Sequence, residues 1–424
     1  MIAVDDRILT ADALAALGES VARDAGLAIG PGTRIAVCLA DPAAWLALFF
    51  RLRDAKATVM PIHPATPYPA ARRLALAAGC TELLFEGAAV ERLNPARPAA
   101  AGRLLQMSSG TTGAPKCIAR SWADIARELA AYVAAFTETA EMTPVVACPT
   151  THSYGLICGL LAGLERGRRP VVVGAANPKY LLKRLREIER PVLYASPLLL
   201  HTLARLTPAD ERLNAVMTSG TLLPAPWFET IRARSRRVFQ QYGCSETGCI
   251  AVNPELERPE DMGLPLPHHR VTAGDGPDAP SEILVHTAGG TVATRDLGHL
   301  GAGGMLVFRA RLDDTINVAG LNVYPREVED AAMRLAGVTD AVAFRRPDPL
   351  AGERVALVFT AGPEVTEAAL RAHLAGELAP HQRPTELSRI AAMPREANGK
   401  VRRRSLAAAV ADAELRDAAA GARP

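Results

Sequence analysis

From residue 34 to about residue 200 the chain alternates short apolar runs with longer Ala/Leu/Arg-rich segments. No other feature restricts its fold as much. RIAVCL, TELLF, LLQMSS, VVACP, PVVVG, VLYASP and AVMTSG have strand length, β-branched enrichment and turn residues at their ends. The segments between them, such as 42–55, 122–136, 178–189 and 197–206, have helix length. Such alternation builds βαβ units and largely parallel sheets covered on both faces. From about 237 to 310 the texture turns strand-rich, which predicts an antiparallel or barrel-like subdomain. After Arg311 it resets. TINVAG, a helix from about Pro325, DAVAFRR, RVALVFT and a helix near 366–378 predict a compact α+β unit, with a boundary at Arg311–Asp314. The Ala-rich tail from 405 reads as helical or frayed.

Composition narrows the function. The net charge of +3 gives no global field for nucleic acid or an anionic membrane. The longest apolar stretch, Tyr154 to Leu164, is shorter than the ~20 residues of a membrane span. The N-terminus lacks the basic and apolar pattern of a signal peptide. Seven scattered cysteines form no C-x-x-C pair, so neither zinc nor a disulfide framework is expected, and the expected location is cytoplasmic. Only five lysines (56, 116, 179, 183 and 400) stand among 48 basic residues. A lysine kept in so arginine-rich a chain can be there for its compact ammonium.

Four segments carry chemistry. In the first, Ser108, Ser109, Gly110, Thr111, Thr112 and Gly113 lead to Lys116. The glycines allow close backbone approach, while hydroxyls, N–H groups and the ammonium suit phosphate oxygens. GxxxxGK[ST] is absent, so this is no Walker A loop. The segment follows the strand LLQM, and the next element read after it is a helix opened by Ser121 and Asp124. In the second, Gln241, Tyr242, Gly243, Cys244, Ser245 and Glu246 offer an aromatic face for a purine and a carboxylate for Mg2+, which takes one or two carboxylates plus phosphate oxygens. In the third, Asp296 can accept two ribose hydroxyls, with Arg311 downstream. In the fourth, Asn398-Gly399 makes a tight turn that presents Lys400. Each alone also reads as an ordinary turn or surface ion pair.

In this order and spacing the four segments, together with GLNVYPREVE, resemble the acyl- and aryl-adenylate-forming enzymes over nearly the whole chain. That family includes acyl-CoA synthetases, aryl-acid ligases and peptide-synthetase adenylation domains. The resemblance implies an α/β fold with a large N-terminal domain of sandwiched, mostly parallel sheets plus a strand-rich subdomain, over 1–311. A hinge at 312–314, centred on Asp313, would join it to a small mobile α+β domain over 315–424. It also implies two half-reactions. A carboxylate attacks the α-phosphorus of Mg·ATP, giving an acyl-adenylate and pyrophosphate. A thiol of coenzyme A, or of a carrier protein's phosphopantetheine, then takes the acyl group. Ser108–Gly113, Lys116, Gly220, Thr221, Gln241, Tyr242, Gly243, Ser245, Asp296 and Arg311 would hold the nucleotide. Glu246 and Thr112 would hold Mg2+, Lys400, Glu246 and His152 would be catalytic, and Gly320, Leu321 and Asn322 would line the thiol channel.

Within the family, the stretch His152-Ser153-Tyr154 borders the carboxylate pocket, where amino-acid-activating members keep an aspartate. Its absence favours an aryl or acyl acid, since a buried substrate ammonium would lack a partner. Ser219, Gly220, Cys249 and Ile250 are the other expected pocket walls. The chain departs from the pattern in a short N-terminal region and in Arg295 where a glycine is usual, a residue expected to crowd or supplement the ribose site. Arg402–Arg404 read as a solvated helix face and His268-His269 as a surface turn. The alternatives are a catalytically degenerate nucleotide-binding homologue that docks a carrier protein, and an unrelated ADP-forming enzyme.

Overall fold

The computed structural model describes residues 1–108, 116–174, 177–396 and 399–411. Among these, a six-stranded sheet is ordered Glu91–Arg92, Glu82–Phe85, Arg34–Cys38, Thr58–Pro61, Arg103–Ser108, Lys116–Ser121. Its inner strands run parallel and both edges antiparallel. A thirteen-stranded sheet has Val238–Cys244, Ala215–Thr218, Pro191–Tyr194, Thr143–Val146, Val171–Val172 and Ile2–Val4 as its parallel part. Beyond Val238–Cys244 the same sheet continues antiparallel through Gly248–Asn253 and Asp261–Pro265 to Leu306–Arg311, Gly290–Leu300, Ser281–Thr287 and Arg270–Thr272. The strand-rich segment is thus an antiparallel extension of the large sheet and not a closed barrel.

The helix Pro42–Asp54 shows why the layers stack. Asp41 caps it by accepting the Ala43 N–H at 3.0 Å, and Pro42 stands at the first helical position, where its missing N–H costs nothing. Ala43 and all of Trp45 to Phe49 are buried. A helix apolar on every side must be enclosed. It is enclosed by both sheets, packing with Ile35, Val37 and Val59 of one and Val146 and Val172 of the other.

Lys116–Ser121 corrects the expected strand-to-helix step. It pairs antiparallel with Arg103–Ser108, from Ser108 opposite Lys116 to Arg103 opposite Ser121. The helix Trp122–Ala135 begins only afterwards, with Ser121 Oγ accepting the Asp124 N–H at 3.1 Å. Six residues reading Lys-Cys-Ile-Ala-Arg-Ser are too few to separate strand from helix by period. Ser109, Gly110, Thr111, Thr112 and Gly113 lie outside the described residues, and so does the side chain of Ser108.

The small C-terminal domain has a sheet ordered Leu321–Val323, Ile316–Val318, Gly352–Ala361, Val338–Asp348, with Glu386–Arg389 parallel to Gly352–Ala361. Helices Pro325–Met333 and Glu367–Glu377 pack on its core. The final segment is helical over 403–411, and Leu406 packs on Val342 and Phe344. Arg403 is not on a solvated face. It bonds Asp314 at 2.9 Å, Glu329 at 2.7 Å and the Ala343 carbonyl at 3.0 Å, because three acceptors converge there.

Among the described residues, polar contacts join the large and small domains. Asp330 Oδ1 accepts the Ala225 N–H at 3.1 Å, at the start of the helix Ala225–Ala233, whose own N-cap, Pro224, offers no side-chain bond. Arg309 pairs with Glu327 and also lies over the Tyr324 ring, 4.9 Å from its centroid. The Arg395 guanidinium lies 5.4 Å from the Trp227 ring centroid. Among the described residues no helix is long and apolar enough to cross a membrane.

Candidate active site

Lys400 ends a turn in which Gly399 donates to the Glu396 carbonyl and Glu396 N–H to the Lys400 carbonyl, both at 2.8 Å. Gly399 has φ +84, which a residue with a Cβ adopts only under strain. The turn reaches across to the large domain. A Cβ on Gly220 would lie 3.8 Å from Lys400 Cε. Burial, and then the Arg311 charge, push the Lys400 pKa down; Asp296 and Glu396 oppose them.

Asp296 stands opposite Arg311 in adjacent strands. Its Oδ2 accepts the Tyr242 hydroxyl at 2.7 Å, and its Oδ1 is 3.3 Å from Arg311 Nε. That geometry is an ion pair without a hydrogen bond, and both atoms are buried with no hydrogen-bond partner. Buried atoms in this state are costly unless a ligand completes them. Burial raises the Asp296 pKa, against the opposing pull of Arg311, Tyr242 and Lys400. The Tyr242 ring is 8% exposed and packs with Met262, Ile283 and Leu306. What the structure shows of it is support for Asp296 rather than an open face for a purine.

Glu246 is exposed at the tip between Val238–Cys244 and Gly248–Asn253. Cys244 Sγ and Thr247 Oγ1 are 3.1 Å apart across that turn. Among the described residues no three His, Cys, Asp or Glu side chains gather as a metal cage. One exposed carboxylate without a cage fits a cation shared with phosphate oxygens.

His152 follows Thr143–Val146 and accepts the Leu156 N–H on its carbonyl at 2.9 Å, leading into the wide helix Tyr154–Leu161. Burial above all, then His63 and Lys400, push its pKa down to about 4. An imidazole in the unfolded chain titrates near 6.5. Between those values the unfolded chain binds a proton that the folded chain refuses, so stability falls as pH drops through that window. The thermal midpoint is expected lower at pH 5 than at pH 7, with a smaller difference in His152→Gln. An equal difference in that variant would place the acid sensitivity elsewhere.

Other expected site residues are placed differently. Gln241 is buried and its Oε1 accepts the Tyr132 hydroxyl at 3.1 Å, so its side chain faces the core. Its carbonyl accepts the Ser219 hydroxyl at 3.1 Å. Ser153 donates to Gln106, and Tyr154 donates to the Met217 carbonyl at 2.6 Å. Cys249 and Ile250 are both buried, in two different clusters. They face opposite sides of one strand and cannot line the same wall. Thr221 is half-buried, and Gly320, Leu321 and Asn322 are exposed on the outer hairpin of the small domain. Arg295 has φ +63 and reaches Asp313 at 2.7 Å, so it grips the expected hinge and not the ribose site. His268 and His269 sit in the expected turn, which the His269 N–H closes onto the Leu266 carbonyl at 3.0 Å, but their rings are half-buried with centroids 3.8 Å apart.

Sequence reasoning missed His63, whose charge helps lower the His152 pKa, and Glu128, which lies behind the Glu246 turn. His63 left no signal in its Pro-rich stretch. Glu128 did: it is a charge on the same stripe as Ile125 and Tyr132.

Residues 91–290 match the AMP-binding enzyme model, and residues 327–400 match the AMP-binding enzyme C-terminal domain. A 3,4-dihydroxybenzoate–[aryl-carrier protein] ligase of Bacillus anthracis is 36% identical, over 88% of this chain and 91% of that protein. A 2-succinylbenzoate–CoA ligase of Lactococcus lactis is 24% identical, over 72% and 70%. In fold, the chain is similar to the o-succinylbenzoate CoA synthetase of Bacillus subtilis solved with its acyl-adenylate intermediate. That likeness has TM-score 0.81 and 20% identity, over 96% of this chain and 95% of that one. With both domain models matched in order and a relative this similar along nearly its whole length, the chain belongs to the AMP-binding enzyme family, the adenylate-forming ligases.

Proposed function

We propose that this ligase activates an aromatic carboxylic acid with Mg·ATP and passes the acyl group to the phosphopantetheine thiol of a carrier protein. One observation carries the adenylation half: the structure delivers Lys400 from the small domain to the strand end at Gly220, on the side of Asp296, Arg311 and His152. The similarity to an aryl-carrier protein ligase supports the acid class and the acceptor. Coenzyme A is the competing acceptor, favoured by the second relative.

In this reading Asp296 and Arg311 take the ribose hydroxyls on the atoms that are now unpartnered. Lys400 bridges the acid carboxylate and the α-phosphate and spreads the developing charge, as phosphoryl transfer requires of preorganised cations. Neutral His152 and His63 border the carboxylate without adding a proton to it. Glu246, with Thr112, would hold Mg2+, which when bound neutralises phosphate charge. The small domain, over 315–424, then turns about Asp313 within 312–314, away from a large domain over 1–311. That turn admits the thiol past Gly320, Leu321 and Asn322. The seven unpaired cysteines support a cytoplasmic location.

The test is pyrophosphate release from Mg·ATP across aryl, acyl and amino acids, first without thiol and then with coenzyme A or a loaded carrier protein. Release that depends on an aryl acid, with turnover raised by the carrier, is the expected result. ATP binding without release across the panel would indicate a degenerate homologue, and ADP as product would overturn adenylation.

A further inference from the structure

Glu128 has no exposed surface (0%) and Arg120 almost none (5%). Arg120 Nη2 lies 2.5 Å from Glu128 Oε2, and Oε1 accepts the backbone N–H of Cys249 at 2.7 Å. The strand Gly248–Asn253 carries a bulge there. Tyr242 pairs with Ala251, but Gly243 pairs with Cys249, so Ile250 is the extra residue. Gly248, at φ +79, lies directly on the carboxylate, and a Cβ on it would fall 2.4 Å from Glu128 Oε2. Across the turn, a Cβ on Gly243 would fall 2.3 Å from the Gly248 carbonyl oxygen. The whole turn is therefore closed down onto one carboxylate, with Glu246 at its tip.

A buried ion pair is a poor route to stability, because apolar residues of similar volume serve as well or better. What an apolar pair could not do is hold the Cys249 N–H while leaving room only for a glycine at 248. We infer that the Arg120–Glu128 pair is a positioning unit for the nucleotide site, setting the height of the turn that presents Glu246 to Mg·ATP. It acts through the backbone and touches no reacting atom. This inference rests on the assignment of Glu246 to Mg·ATP proposed above.

The test compares Arg120→Met/Glu128→Leu, Glu128→Gln and Glu246→Gln with the unmodified protein. The readouts are KM for Mg·ATP, KM for the acid, thioester formation from synthetic acyl-adenylate, and the rise in thermal midpoint on adding a non-hydrolysable ATP analogue with Mg2+. The apolar pair is expected to fold and to weaken Mg·ATP binding about 10–100-fold, the usual scale for removing a supporting partner of a metal ligand. Acid KM and the thioester half should stay unchanged. Glu128→Gln keeps an acceptor for Cys249 and should lose less. A folded apolar pair that binds Mg·ATP like the unmodified protein overturns the proposal, and so does an equal loss in acid KM, which would mean a general structural role. If the apolar pair does not fold, Glu128→Gln decides: weaker Mg·ATP binding with unchanged acid KM supports the proposal, and unchanged binding overturns it. Unchanged Mg·ATP binding in Glu246→Gln removes the assignment beneath it, and that failure is visible separately from the other two.

Discussion

Lys400→Ala is expected to cut acid-dependent pyrophosphate release by about 10²–10³-fold, the usual cost of removing one preorganised donor from a developing anion. Thioester formation from synthetic acyl-adenylate should keep its rate. The asymmetry follows from where the residue stands. Lys400 comes from the small domain, on a turn that meets the large domain at Gly220 beside Ser196. Burial and the Arg311 charge push its pKa down against the pull of Asp296 and Glu396, a cost that a polyanionic substrate would relieve. In the proposed mechanism the lysine has no charge left to spread once the adenylate exists, and the small domain turns away to admit the thiol. Near-normal pyrophosphate release in the variant would sink the mechanism, whereas equal loss of both halves would point to a damaged fold.

The second large effect is on stability. Glu128→Leu alone leaves the Arg120 guanidinium buried without its carboxylate, and breaking a buried pair from one side costs about 3–5 kcal/mol. A domain has only about 5–15 kcal/mol in all. The single variant should therefore unfold at a much lower urea concentration, while Arg120→Met/Glu128→Leu recovers most of the midpoint. A single-variant loss below about 1 kcal/mol would mean that water reaches the arginine when the carboxylate goes. The comparison separates the cost of a stranded charge from the positioning role, because the double variant pays the second alone.

The fold was legible where period and punctuation agreed. The helix from Pro325 and the strands around Val342 and Leu357 stand where their patterns put them: the helix buries one side on the sheet, and the two strands, buried on both faces, read as continuous apolar runs. Lys116–Ser121 was not legible: it is short, and its partner strand rather than its own sequence makes it a strand. At the site, Lys400, Asp296 and Arg311 could be named because their segments follow one another in a family's order, since each alone also reads as an ordinary turn or ion pair. Gln241 could not be sorted from its neighbours, since only Tyr132, more than a hundred positions away, turns its amide inward. Arg403 misled for the same reason. An arginine between two other arginines looks solvated until Asp314 and Glu329 arrive from distant elements.

The contacts between the domains set how firmly one arrangement is held. Asp330 serves as a helix cap borrowed from the other domain, a bond of about 1 kcal/mol by the usual cost of losing a cap. Arg309, half-exposed between Glu327 and the Tyr324 ring, contributes about 0.5–1 kcal/mol, and Arg395 over the buried Trp227 ring about 1–2 kcal/mol. Together they amount to roughly 3 kcal/mol, or a population ratio of about 150 to 1. That is a bias and not a lock. A nucleotide that preferred one orientation over the other by a similar margin would be enough to redistribute the ensemble. In the proposed rotation the small domain needs no dedicated trigger: consumption of ATP would itself withdraw the preference, and the helix at Ala225 would lose its cap as the domain turned.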